Sequence, residues 1–148
     1  MGAAGGFALL AVFPLSASAS SGGFAYAPNE NNSTISQFTV GSGGDLTPLS
    51  PPSVATVSYV TGHQNGAAIS PDGRSLYMPD FTGIEQYTIG SNGTLTPKNP
   101  AWIPSGTLLD CGCVSEGSAV AQTVVVSPNG KYVYVGNDDG PGDITESA

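Results

Sequence analysis

The residues Ile69-Ser70-Pro71-Asp72-Gly73-Arg74-Ser75-Leu76-Tyr77-Met78 return as Val126-Ser127-Pro128-Asn129-Gly130-Lys131-Tyr132-Val133-Tyr134-Val135. In both copies an apolar run leads into Ser-Pro-Asp/Asn-Gly and a second apolar run leaves it. Proline presets φ at the first corner of a turn, Asp or Asn bonds its own backbone, and glycine takes positive φ without steric cost. Each copy therefore reads as a strand, a tight turn and a returning strand.

A second pair extends the pattern. Gly41-Ser42-Gly43-Gly44-Asp45-Leu46-Thr47-Pro48 recurs 49 residues later as Gly90-Ser91-Asn92-Gly93-Thr94-Leu95-Thr96-Pro97, and Ile35–Val40 recurs as Ile84–Ile89 at the same spacing. Apolar residues in these runs alternate with period two, the period of a strand. The Ser-Pro turns stand 57 residues apart, so the second unit carries an insertion. A unit of about 50 residues with four short strands and Gly- or Pro-bearing turns fits a β-propeller blade. The expected fold is all-β, a β-propeller fragment of about two to three four-stranded blades, with repeats near 24–66, 67–120 and 121–148. Middle strands are expected at Phe24–Ala27 and Ile35–Val40, at Ser75–Met78 and Ile84–Ile89, and outer strands at Val54–Tyr59 and Ala101–Ile103. Thr123–Ser127 and Tyr132–Val135 open a third blade. So few blades do not close a ring, so the remaining blades are expected from a longer parent protein.

Composition agrees. The 148 residues are 39% hydrophobic and 9% charged, with 21 Gly and 12 Pro, which is poor in the Lys and Glu that coat helices and rich in turn formers. Eleven acidic and three basic residues give a net charge of −8. That charge repels polyanions, and Arg74, Lys98 and Lys131 stand singly, so no nucleic-acid partner is expected. Residues 1–19 combine an apolar core, Phe7 to Leu15, with Ala17-Ser18-Ala19, which is how a cleavable signal peptide reads; the alternative is a buried N-terminal strand. The first reading implies export to the periplasm, the cell surface or the medium. The apolar stretch falls short of the ~20 residues that span a bilayer.

AISPDGRSLYMPD (68–80), VVSPNGKYVYVGND (125–138) and IEQYTIGSNGTLTP (84–97) resemble the lactonase family of seven-bladed β-propellers. That family includes 6-phosphogluconolactonases and merges with YVTN-type surface and periplasmic propellers; the resemblance covers roughly Phe24 to Asp139. It implies a parent that hydrolyses a sugar lactone, such as 6-phosphogluconolactone, with no cofactor. The alternative is a noncatalytic propeller that binds a protein or glycan ligand. Family members often carry a Pro-His-x-His stretch before the innermost strand. The matching positions here are His63 and Asn65 before Pro71, and Val120 and Gln122 before Pro128.

His63, the only histidine, is accordingly the candidate catalytic base, against a plain role as a hydrated loop residue. Asn65 and Arg74 are candidate substrate-binding residues. Arg74 and Lys131 follow equivalent turn glycines, so they share one rim, where they either grip an anion or are simply solvated. Cys111 and Cys113 lie in the insertion, where export favours a disulfide and a bridge across one residue would be strained. No zinc set is completed around them, and no metal is expected. Asn137 to Asp143 has the acids and glycines of a calcium loop without its spacing, and reads as a turn. Asn31, Asn32 and Asn92 head Asn-x-Ser/Thr tripeptides, which are also ordinary turn sequences.

Overall fold

Alternation of apolar and polar residues gives strands that bury one side, and the glycine turns fold consecutive strands back on one another. The computed structural model describes residues 11–13, 23–29, 32–57, 66–80, 83–104, 121–137 and 144–147, and every regular element among them is a strand. The first sheet is formed by β1 (Ala11–Phe13), β2 (Phe24–Asn29), β3 (Thr34–Val40) and β4 (Leu46–Ala55). The second holds β5 (Ala68–Ile69), β6 (Ser75–Asp80), β7 (Gly83–Ile89) and β8 (Leu95–Pro104). The third holds β9 (Ala121–Val126), β10 (Val133–Asn137) and β11 (Ile144–Ser147). Each sheet is an antiparallel meander with strands in chain order, and the whole is the all-β arrangement of a partial propeller.

The sheets repeat in register as well as in sequence. Val12 faces Ala25, Ile69 faces Leu76 and Val126 faces Val133. The two Ser-Pro turns are the same structure: Gly73 N donates to Ser70 O and Gly130 N to Ser127 O, both at 2.8 Å. The glycines take φ of +70° and +71°, and the serine hydroxyls accept from Ser75 N and Tyr132 N at 2.9 Å.

The outer strands differ from expectation. They run from Leu46 and Leu95, directly after the glycine turns, and not from Val54 and Ala101. The longer strands include prolines 48, 51, 52, 97 and 100. An outer strand uses only one edge of its backbone, so a residue lacking N–H is tolerated there. Each outer strand is fastened at a bulge by a glutamine: Gln37 Nε2 donates to Pro51 O and Gln86 Nε2 to Pro100 O, both at 3.0 Å. The peptide bonds before Pro51 and Pro100 are cis in both sheets.

β1 falls inside the apolar stretch that also reads as a leader. In this structure those residues fill the innermost place of the first sheet, where β5 stands in the second.

The core lies between sheets. Tyr26 and Ile35 from the first sheet meet Ile69, Leu76, Met78, Tyr87, Ile89 and Leu95 from the second, flanked by Phe24 and Val54. The opposite face of the second sheet, with Ile84 and Tyr77, meets Val124, Val133 and Val135 of the third. The first interface is locked by a polar joint. The Gly90–Leu95 turn lies on the first sheet, where Tyr26 Oη donates to Gly93 O at 2.6 Å and Leu95 N donates to Gln37 Oε1 at 2.6 Å. Gly93 has φ +84°, and a Cβ on it would overlap the Phe24 ring. Gly44, its counterpart in the first sheet, has φ +88° and open space around it. Leu95 is 6% exposed and Leu46, its counterpart, 43%.

This contrast separates two costs of adding a methyl group. Gly44→Ala is expected to lose only the price of a left-handed conformation, about 1 kcal/mol. Gly93→Ala adds overlap with a buried ring and should lose about 2 kcal/mol more, as read from urea denaturation midpoints.

Candidate functional site

In an antiparallel meander successive turns alternate between the two ends of the sheet. The Ser-Pro turns and the Gly41–Asp45 and Gly90–Thr94 turns therefore share one end. At the other end β2 and β6 finish and β3 and β7 begin, β4 and β8 finish, and β5 and β9 begin.

That second end holds a buried acidic pair in the second sheet. Glu85 is fully buried and Asp80 is 3% exposed. Charged oxygens out of water must be met by donors, and they are. Glu85 Oε2 accepts from Tyr87 Oη, and from Val57 N at 3.1 Å. Asp80 Oδ2 accepts from Trp102 Nε1 at 3.1 Å, and both carboxylates make further interactions. Trp102 packs against Gly83, where a Cβ would strike its ring. Burial, with the Glu85 carboxylate beside it, pushes the Tyr87 phenol far above its ordinary value, so it remains a hydrogen-bond donor.

The first sheet has a neutral version of the same cluster. Asn29 ends β2 as Asp80 ends β6, and Ser36 begins the bulge as Glu85 does. Asn29 Nδ2 donates to Ser36 Oγ at 2.8 Å and to Thr34 Oγ1 at 3.1 Å. A self-satisfied amide and hydroxyls are thus replaced in the second sheet by two acids. Glu85 holds the N–H of Val57, just past the end of β4.

His63, Asn65, Cys111 and Cys113 lie outside the described residues, as do residues 138–143 of the acidic loop and residues 1–10 and 14–22 of the leader stretch. Arg74 is described and exposed, and Lys131 occupies the equivalent place one sheet on. Both sit on the Ser-Pro turns, at the end of the sheets opposite the acidic pair. Arg74 N and Lys131 N donate to Asp72 Oδ1 and Asn129 Oδ1 at 3.1 and 3.0 Å. Among the described residues no cluster of His, Cys, Asp or Glu is arranged to hold a metal ion, and no helix is long and apolar enough to cross a membrane.

Sequence reasoning overlooked Glu85, Asp80 and Trp102. A signal was present, because Glu85 stands where the aligned repeat has Ser36, on a strand whose neighbours Ile84 and Tyr87 face the core.

No protein-family model matches the chain, and no curated protein matches it. Solved structures do. A candidate 6-phosphogluconolactonase from Bacteroides fragilis superposes with TM-score 0.54 at 24% identity, over 83% of this chain and 34% of its own length. A second candidate 6-phosphogluconolactonase, from Bacteroides uniformis, gives TM-score 0.58 at 20% identity over 84% and 36%. The periplasmic gluconolactonase of Pseudomonas aeruginosa gives 0.53 at 18% identity over 84% and 38%. The chain shares their fold and spans little more than a third of their length.

Two outcomes follow. Glu85→Ala leaves the buried Tyr87 hydroxyl without this acceptor, and should cost about 2 kcal/mol in denaturant unfolding. Ser70 first, and then the Arg74 backbone and charge, hold the Asp72 carboxyl below its usual value. A carboxylate depressed in the folded state stabilises above its unfolded pKa of about 3.9 and loses that contribution as pH falls through the lower folded value. Asp72→Asn, which copies Asn129, should therefore leave stability at pH 7 nearly unchanged and flatten its decline below pH 4, as read from thermal midpoints across pH.

Proposed function

We propose that this chain is part of a lactonase-type β-propeller that opens a sugar lactone, with its site at the sheet ends where β5 and β9 are entered. The observation that supports the reading is the hydrogen bond from Val57 N to buried Glu85, a few residues ahead of His63 in sequence. The repeated Ser-Pro and glycine-turn motifs and the lactonase names of the structural neighbours support the same class. In the proposed step His63 takes a proton from water as the water oxygen bonds to the lactone carbonyl carbon. Collapse of the tetrahedral oxyanion breaks the ring C–O bond, and the departing oxygen takes the proton back from His63 to give the open hydroxy acid. Asn65, two residues on, is the proposed hydrogen-bond partner of the sugar.

Arg74 and Lys131 stand at the far end of the sheets, so among the described residues no cation serves a phosphate beside the acidic pair. This favours an uncharged sugar lactone over a phosphorylated one. It equally supports the second reading, a noncatalytic propeller whose loops bind a protein or glycan.

Export belongs to the proposal and rests on the apolar stretch with Ala17-Ser18-Ala19. Mass spectrometry of protein recovered from outside the cytoplasm tests it. A first residue of Ser20 is the expected result, and retention of Ala11–Phe13 counts against a cleaved leader.

Activity is tested by following gluconolactone opening with a pH indicator. The complete parent ring is expected to exceed the spontaneous rate, whereas the 148-residue chain alone is not. His63→Ala should reduce the ring's rate by about 10² or more. An unchanged rate removes His63 from the mechanism, and no hydrolysis by the complete ring leaves the binding scaffold.

A further inference from the structure

The first two sheets meet through unlike faces. The first offers Phe24, Tyr26 and Gln37, and the second brings the Gly90–Leu95 turn with Tyr87, Ile89 and Leu95. The second and third sheets meet in the same sense: Tyr77, the register counterpart of Tyr26, packs against the cluster of Val124, Val133 and Val135. Each sheet therefore has a receiving face and an arriving face. The arriving face of the first sheet and the receiving face of the third are the two end faces of the described stack.

The arriving face of the first sheet is built as the buried one is. By the 49-residue repeat Phe38, Val40 and Leu46 match Tyr87, Ile89 and Leu95. Leu46 is exposed where Leu95 is buried, and Phe38 and Val40 are half-buried. The turn ahead of Leu46 is already in the shape that seats Gly93. Gly44 N donates to Gly41 O as Gly93 N does to Gly90 O, both at 2.9 Å, and left-handed Gly44 has open space around it.

The third sheet carries the matching half. Tyr134 stands opposite Val125 as Tyr77 stands opposite Ala68, and Tyr132 takes the place that Phe24 has in the first sheet and Ser75 in the second. The rings of Tyr132 and Tyr134 lie 6.4 Å apart, and Val125 is 56% exposed. An aromatic residue two places before a tyrosine is what receives the glycine turn in the first joint. Charge agrees: Lys131 precedes Tyr132, Asp45 follows Gly44, and both are exposed at the end of the sheets that carries these turns.

We propose that copies of this chain associate head to tail, the first sheet of one on the third sheet of the next. Tyr134 Oη donates to the Gly44 carbonyl of the neighbouring copy, Gly44 lies on the Tyr132 ring, and Asp45 comes beside Lys131. Leu46 and Val125 are covered as Leu95 and Ala68 are in the internal joints. The contact is heterologous, so each copy uses two different surfaces. No peptide segment links its halves, so it is weaker than the internal joints and opens on dilution. It goes beyond the lactonase reading and does not depend on it.

Light scattering on the 148-residue chain tests the contact, at about 0.15 M salt to screen the −8 charge of each copy. Between about 1 μM and about 1 mM chain the mass is expected to rise from one copy to more than two. Leu46→Lys spoils the arriving face and Val125→Lys the receiving face. Both residues are exposed in the single chain, so each variant should keep the original melting midpoint in dilute solution. Each should associate about tenfold more weakly or less still, because an ammonium would be covered by the next copy. Tyr134→Phe, which removes only the hydroxyl, should weaken association about fivefold. An equimolar mixture of the two lysine variants keeps one intact pair of faces, and should form dimers and nothing larger. A single-copy mass throughout, association unaffected by either lysine, or a mixture no heavier than its components overturns the proposal. None of these results bears on lactone opening, which the rate measurement tests separately.

Discussion

The contact between the Gly93 carbonyl and the Tyr26 hydroxyl is the constraint on which the rest of the packing depends. It requires the turn before β8 to lie flat on the preceding sheet, which in turn requires a residue with positive φ and no side chain at that place. Once the turn is seated, Leu95 is carried into the core and its amide meets Gln37. A meander alone gives a sheet; this joint gives a stack of sheets.

Glutamines 37 and 86 show how local and long-range order are coupled. Each fastens its own outer strand through the amide nitrogen, and the Gln37 oxygen reaches the neighbouring sheet. In Gln37 both ends are engaged, one within the sheet and one across to Leu95. A fully buried amide satisfied in both senses fixes the bulge and the spacing of the sheets together. The acidic pair of the second sheet does the corresponding work at the opposite end, where Glu85 holds the chain as it leaves β4. Carboxylates there bring negative charge to the end of the second sheet at which β6 finishes and β7 begins, whereas Arg74 and Lys131 sit on the Ser-Pro turns at the far end.

Much of the architecture was legible because turns were encoded by short motifs with a single physical reading. Ser-Pro-Asp-Gly and Ser-Pro-Asn-Gly fold alike to within 0.1 Å in their backbone hydrogen bonds. The outer strands were misplaced because proline signals a loop wherever both edges of a strand are needed, and only the assembled sheet shows that one edge is free. The site was legible in part. His63 and Asn65 came from a resemblance, and the sequence could place them only by their connection to β5. Glu85 looked like the exposed polar member of an alternating strand. The bulge beside it turns that position inward, and a bulge leaves no mark in composition or period.

Amide hydrogen exchange by NMR at Leu95 and Leu46 measures the central joint directly, because the two residues occupy the same place in successive repeats and differ in whether a neighbouring sheet receives them. The account predicts that the Leu95 amide exchanges at least tenfold more slowly than that of Leu46, and that Gln37→Ala removes most of the difference. Equal exchange at the two positions, or a difference that survives Gln37→Ala, would contradict it.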